Sequence, residues 1–228
     1  SNVAIGQQSG YSITTANKTV FIGAYAGDAV TVTNGGASDG TVGIGYQALT
    51  ALTSGAGNTA VGYQALDAAT DSNYNTALGH QALSGVTASG TSSNTAVGFS
   101  AGVGVSSGIS NTVIGASALS TATTALKNVA VGGLAMQDVK AAVAVDGCVA
   151  IGYLALKGNS SNTTGINGTV AIGSSALTAL TTGAGNVAVG YQTLKGVTAG
   201  ARNIAIGYNS QDGVTTGAFN DNIAIGYD

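Results

Sequence analysis

Apolar residues in this chain come in pairs two positions apart, each pair straddling a small residue, opened by a polar one and closed by glycine. Asn58-Thr59-Ala60-Val61-Gly62, Asn94-Thr95-Ala96-Val97-Gly98 and Asn203-Ile204-Ala205-Ile206-Gly207 are clean copies. Side chains alternate across a strand, so the second and fourth positions share one face and the first and third share the other. The phrase occurs thirteen times, and seven of the twelve intervals between its glycines are 17 residues. The remaining intervals run from 19 to 22 residues. Such a period predicts a stacked repeat: an all-β, parallel β-solenoid of about thirteen rungs, a single domain over residues 1–228.

Each column has its own rule. The fourth position is always Val, Ile or Leu, the second always Thr, Val or Ile, and the third is Ala in ten of thirteen copies. The bulky face predicts the inside of the coil, with Val61, Val97, Ile151 and Ile206 stacked there. The small face predicts close approach of another chain through Ala60, Ala77, Ala96, Ala130, Ala150, Ala171, Ala188, Ala205 and Ala224. The opposite assignment is compatible with the same fold. After the glycine comes an Ala-Leu pair at 48–49, 65–66, 82–83, 118–119, 155–156 and 176–177. It predicts a second short strand with Leu directed inward. The glycine itself is expected where the chain turns through positive φ or meets another backbone.

Composition supports strands and turns. There are 37 glycines and no proline, and charged residues make up 7% of the chain. The net charge of −3 provides no basic stripe for nucleic acid. No apolar run is long enough to span a bilayer, and no signal-peptide pattern is present. So few charges leave much of the surface either Ser, Thr, Asn and Gly or covered by other chains.

The phrases Asn2-Val3-Ala4-Ile5-Gly6 and Asn222-Ile223-Ala224-Ile225-Gly226 resemble the head repeats of YadA-like trimeric autotransporter adhesins. The stretch Gly62-Tyr63-Gln64-Ala65-Leu66 is similar to repeats of phage tail fibres and bacterial surface fibres. The resemblance spans essentially the whole chain. It implies a left-handed β-roll with three chains around a common axis. The period here is longer than in those heads, Thr often takes the second position, and no neck, stalk or anchor accompanies the repeats.

Residues that might carry chemistry are few. His80 occupies a column after the glycine that elsewhere holds Tyr46, Tyr63, Phe99, Tyr153, Tyr191 and Tyr208, which predicts stacking or, alternatively, a sugar- or protein-binding ladder. Cys148 stands in the Asn column and Met136 in the Leu column, and both read as structural. One cysteine and one histidine do not make a zinc site. Asp28, Asp39, Asp71, Asp146, Asp212 and Asp221 show no repeated spacing for Ca²⁺, and Asp67 with Asp71 is the only close carboxylate pair outside the insertions. A flat Thr array is one way to order ice, but Thr alternates here with Val and Ile. Sequons begin at Asn17, Asn159, Asn162 and Asn167. No enzyme and no cofactor are expected.

The longer intervals add residues near 31–40, 138–147 and 159–168, so Asn34, Asp39, Asn159 and Asn162 are the candidate contacts with a host surface. The first and last rungs lack caps. Asn2, Val3, Ile5, Ile223, Ile225 and Tyr227 are therefore candidate joints of a head-to-tail polymer, unless the chain is part of a longer fibre. The expected function is a structural and adhesive protein in the shaft or head of an extracellular, cell-surface or virion-borne fibre. The expected partners are copies of itself, a trimer before a polymer, and a host receptor.

Overall fold

The computed structural model describes residues 1–14, 16–30, 39–139, 145–159, 163–211 and 219–227. They contain no helix. The chain falls into two compact units, Ser1–Ser110 and Asn111–Asp228. The first contains β1 (Val3–Ile5), β2 (Val20–Ile22), β3 (Val42–Ile44), β4 (Thr59–Val61), β5 (Ser72–Asn73), β6 (Thr76–Leu78), β7 (Gly90–Thr91) and β8 (Thr95–Val97). The second contains β9 (Thr112–Ile114), β10 (Val129–Val131), β11 (Val149–Ile151), β12 (Val170–Ile172), β13 (Val187–Val189), β14 (Ile204–Ile206) and β15 (Ile223–Ile225).

Every repeat phrase is a three-residue strand, and within each unit successive phrases pair in parallel and in register. Thr59, Ala60 and Val61 lie opposite Thr76, Ala77 and Leu78, and Val187, Ala188 and Val189 lie opposite Ile204, Ala205 and Ile206. The phrases of each unit are thus the rungs of a parallel β-solenoid, as the repeat predicts.

The segment after the glycine is not a second strand. It is a run of tight turns in which alternate residues take left-handed backbone: Gln64 and Leu66 have φ of 49° and 54°, Gln192 and Leu194 54° and 52°. The alternation points successive N–H groups at different neighbours. Gln64 N–H donates down to the Tyr46 carbonyl at 2.9 Å, and Leu66 N–H donates up to the Ala82 carbonyl at 3.0 Å. A left-handed residue other than glycine costs roughly 1–2 kcal/mol, and these rung-to-rung bonds offset it. Leu does point inward: Leu49, Leu66, Leu83, Leu119, Leu156, Leu177 and Leu194 are fully buried. A further buried column, three residues beyond Leu, holds Val30, Leu52, Ala69, Val86, Val105, Ala122, Val139, Leu180 and Val197.

All thirteen closing glycines have φ between 126° and 152°. A Cβ on Gly6 would lie 2.7 Å from the Gly23 carbonyl carbon, so both torsion and space demand glycine.

The one large departure inside is compensated. Phe21 takes the third position of its strand, where most rungs have Ala, yet it is fully buried. Gly27 occupies the Leu column of the same rung, and a Cβ there would meet the Phe21 ring; at Gly43, on the next strand, it would lie 2.9 Å from the ring. The ring fills the volume that Leu fills elsewhere. Phe21→Ala should therefore cost about 3–5 kcal/mol. Gly27 has φ of 58°, close to the 54° of Leu66, so Phe21→Ala with Gly27→Leu should recover most of that loss. Urea-unfolding midpoints of the two variants check the compensation.

Candidate functional site

The strand presents its faces the opposite way round from the expected assignment. Ala60, Ala77, Ala96, Ala130, Ala150, Ala171, Ala188 and Ala205 are 0% exposed. Ala224 is half-buried. Val61 and Val97 are only half-buried, and Leu78, Ile151 and Ile206 are 48%, 38% and 39% exposed. The reason is volume. A rung is one strand facing one turn segment, and the turn already contributes Leu and a second aliphatic; little more than a methyl fits opposite them at normal packing density, and the larger Val113 faces Leu119 where the second aliphatic is only Ala122. The β-branched columns are left outside.

They make a flat face with no charged residue in either column. Two columns with side chains are on the order of 10 Å wide, and the seven strands of the second unit rise about 30 Å. That reaches the few hundred Å² at which exposed apolar patches mark interaction sites. Thr59, Thr76 and Thr95 belong to this open face, so the Thr column is not buried either.

The ring column forms stacks. Tyr46, Tyr63, His80 and Phe99 follow one another with centroids 5.4, 4.8 and 5.3 Å apart and interplanar angles of 13°, 16° and 27°. Tyr25 meets Tyr46 edge-on at 6.0 Å. Tyr191, Tyr208 and Tyr227 repeat the stack at 5.1 and 5.3 Å. Within a filled run the ring faces are spent on each other and only the edges meet solvent. The neighbouring column adds an amide ladder, Gln81 Nε2 donating to Gln64 Oε1 at 3.2 Å and Gln64 Nε2 to Gln47 Oε1 at 2.9 Å.

The Asn column is buried and holds the rungs together. Asn58 Oδ1 accepts from both N and Nδ2 of Asn75, at 3.0 and 3.1 Å. Asn186 Oδ1 does the same for Asn203 at 3.1 and 2.9 Å. Cys148 interrupts this ladder. Its N–H donates to Asn128 Oδ1 at 2.9 Å, while its Sγ reaches the Ile166 carbonyl at 3.1 Å. Burial pushes the thiol up to about 11, partly offset by the N–H groups of Thr169 and Gly168.

The expected contact residues divide. Asn34 and Asn162 lie outside the described residues, as does Asp212. Asp39 is half-buried, and its Oδ1 accepts the Asn17 N–H at 2.7 Å. Asn73, Asn167 and Asn220 cap Ala56, Asp146 and Ala201 on the preceding rung in the same manner, at 2.7, 3.0 and 2.8 Å. The sequence reading missed this capping column, whose only signal is an Asn or Asp two residues before the Asn column. Asn159 is exposed and stands where other rungs bury an aliphatic; its N–H and carbonyl are both clasped by the Thr163 hydroxyl at 2.6 and 2.8 Å. Of the end-rung candidates, Val3, Ile5, Ile223, Ile225 and Tyr227 are exposed, and Asn2 Nδ2 donates to the Ala16 carbonyl at 2.7 Å. Burial raises the Asp67 carboxyl above its ordinary range. Among the described residues no three His, Cys, Asp or Glu side chains are grouped as metal ligands.

Three outcomes follow for Cys148. A thiol held protonated by burial should resist a disulfide reagent at pH 8 in the native protein and react only as fast as the chain unfolds, as a time course with and without urea would show. Its folded value lies above its ordinary 9.0, so the proton is held more tightly in the folded state. Stability should hold below pH 9 and fall as pH rises from 9 towards 11. Cys148→Asn should extend the ladder from Asn128 by one rung, as far as Thr169, and stabilise by about 1 kcal/mol, read as a higher melting temperature. No protein-family model matches the chain, and comparisons with curated proteins and with solved structures also find no match.

Proposed function

We propose that this chain is a non-enzymatic structural and adhesive segment of an extracellular, cell-surface or virion-borne fibre, in which three copies pack their outward β-branched faces around a common axis. The observation that carries the reading is that face: two uncharged columns of Val, Ile, Leu and Thr, regular from strand to strand and open to solvent in a single chain. A free surface of that kind promotes association, and interfaces that stay assembled are the more apolar ones. The resemblance to YadA-like head repeats and to phage and bacterial fibre repeats points the same way. With the Ala column inside, the subunit contact falls on the β-branched side.

A second reading, a filament built head-to-tail through β1 and β15, draws on Ile5, Ile223 and Ile225, which are 59%, 72% and 73% exposed. Strands of a parallel stack can pair edge to edge with strands of another copy.

Particle mass separates the two readings. The trimer predicts a mass of three chains by light scattering. Val97→Lys together with Val189→Lys should reduce it to one chain while leaving the β circular dichroism intact, because a Lys placed on an apolar interface has no partner there. Filaments of indefinite mass that vanish with Ile223→Lys and Ile225→Lys would support the polymer instead. A wild-type particle of one chain would remove both.

A further inference from the structure

The ring column of the second unit has a gap. Backbone hydrogen bonds place Tyr153, Ser174, Tyr191 and Tyr208 on consecutive rungs: Ser175 N–H donates to the Tyr153 carbonyl, Gln192 N–H to that of Ser174 and Asn209 N–H to that of Tyr191, at 2.8, 2.9 and 2.9 Å. Tyr191 and Tyr208 stack at 5.1 Å. Tyr153 and Tyr191 stand two rungs apart, and the position between them carries only the hydroxymethyl group of Ser174. Two rungs span roughly 9.6 Å. A flat group midway would lie about 4.8 Å from each ring, inside the ~4.5–7 Å range of ring contacts.

The two walls are well placed for this. Tyr153 is 55% exposed, and on its far side the column drops to Gly133, where a Cβ would be 3.5 Å from the Tyr153 ring. Tyr191 is 43% exposed, backed by Tyr208, and its phenol oxygen accepts from Gln192 Nε2 at 3.0 Å. Among the described residues Tyr153 stacks on no other ring, and Tyr191 stacks on one side only, against Tyr208. The filled runs show what such a face takes: another flat group at about 5 Å.

We propose that the gap over Ser174, between Tyr153 and Tyr191, is a binding slot for a neutral hexopyranose ring. Ring faces recognise the axial C–H surface of a pyranose, while the hydroxyls of Ser174, Tyr153 and Tyr191 meet its hydroxyl edge. An aromatic side chain would satisfy the faces but leave those hydroxyls unpaired, which is the costlier choice in a partly desolvated slot. The three column positions carry no charge, so a neutral sugar is the class that fits. The slot does not depend on the trimer, since the ring column follows the glycine and the proposed subunit contact uses the strand before it.

The test is ligand-observed saturation-transfer NMR on the full chain with the methyl glycosides of glucose, galactose and mannose. At least one is expected to bind with a Kd on the order of 1 mM, as its size allows. Ser174→Tyr fills the gap with the column's commonest ring, which its neighbours already accommodate, and should abolish binding with the circular dichroism unchanged. Tyr153→Ala and Tyr191→Ala should each weaken binding about tenfold or more, the loss expected for a stacking wall. Tyr63→Ala, in a filled run, should leave it unchanged. Absence of binding by all three glycosides, binding that survives Ser174→Tyr, or phenol competing ahead of the sugars would each overturn the proposal. Light-scattering mass on the same samples reports the trimer separately, so either idea can fail without the other.

Discussion

Everything in this molecule depends on parallel stacking in register. Within each unit, each rung hydrogen-bonds to its neighbours through its strand and again through its turns, so a residue in one rung lies directly over its counterpart in the next. Identical side chains must then be compatible with themselves at the rung spacing. Alanine, glycine, asparagine and flat rings are good answers to that requirement, and each has its own column. The glycine column is the most demanding, because the close approach of one glycine's α-carbon to the next glycine's carbonyl leaves no room for a Cβ.

The same constraint explains why a chain with so little charge and so many apolar residues can hold together with a thin interior. The core is a stack of Ala, Leu and one further aliphatic per rung rather than a compact centre, and the Asn ladder runs alongside it with its amides paired. What such a rung cannot bury it must display. The β-branched columns are on show because the interior has no volume for them, and their regularity is a consequence of strand pairing. A uniform apolar face is thus produced by the fold, and an assembly that covers it relieves the exposure.

Much of the fold was legible in the sequence, because a period of 17 residues with an invariant glycine admits few architectures. The strands, the inward Leu column, the glycine torsions and the stacking of rings were all readable from the spacing. Which face of the strand points inward was not, since alternation fixes that Thr59 and Val61 share a side without fixing which side. The deciding quantity is the volume contributed by Leu66 and Ala69 from across the coil, which depends on the path of the turn. The turn itself was misread as a strand because left-handed Gln64 and Leu66 have no signature in residue type; neither is a residue that favours positive φ. The candidate contacts were weaker still, since Asp39 proves to cap its neighbouring rung and Asn34 and Asn162 lie outside the described residues. The gap at Ser174 was present in the sequence as a missing ring, but it acquires meaning only once the adjacent rings are known to stack.

The orientation of the β-branched face and its burial between chains make up the central claim. Double electron–electron resonance on a spin label at Thr95→Cys tests it directly, because the native Cys148 is buried and leaves the new thiol as the reactive one. Labels on a face shared around one axis should give inter-chain distances within roughly twice the ~10 Å separation of packed sheets. A trace with no inter-chain coupling, or one that places the labels on the far outside of an assembled particle, would contradict the account.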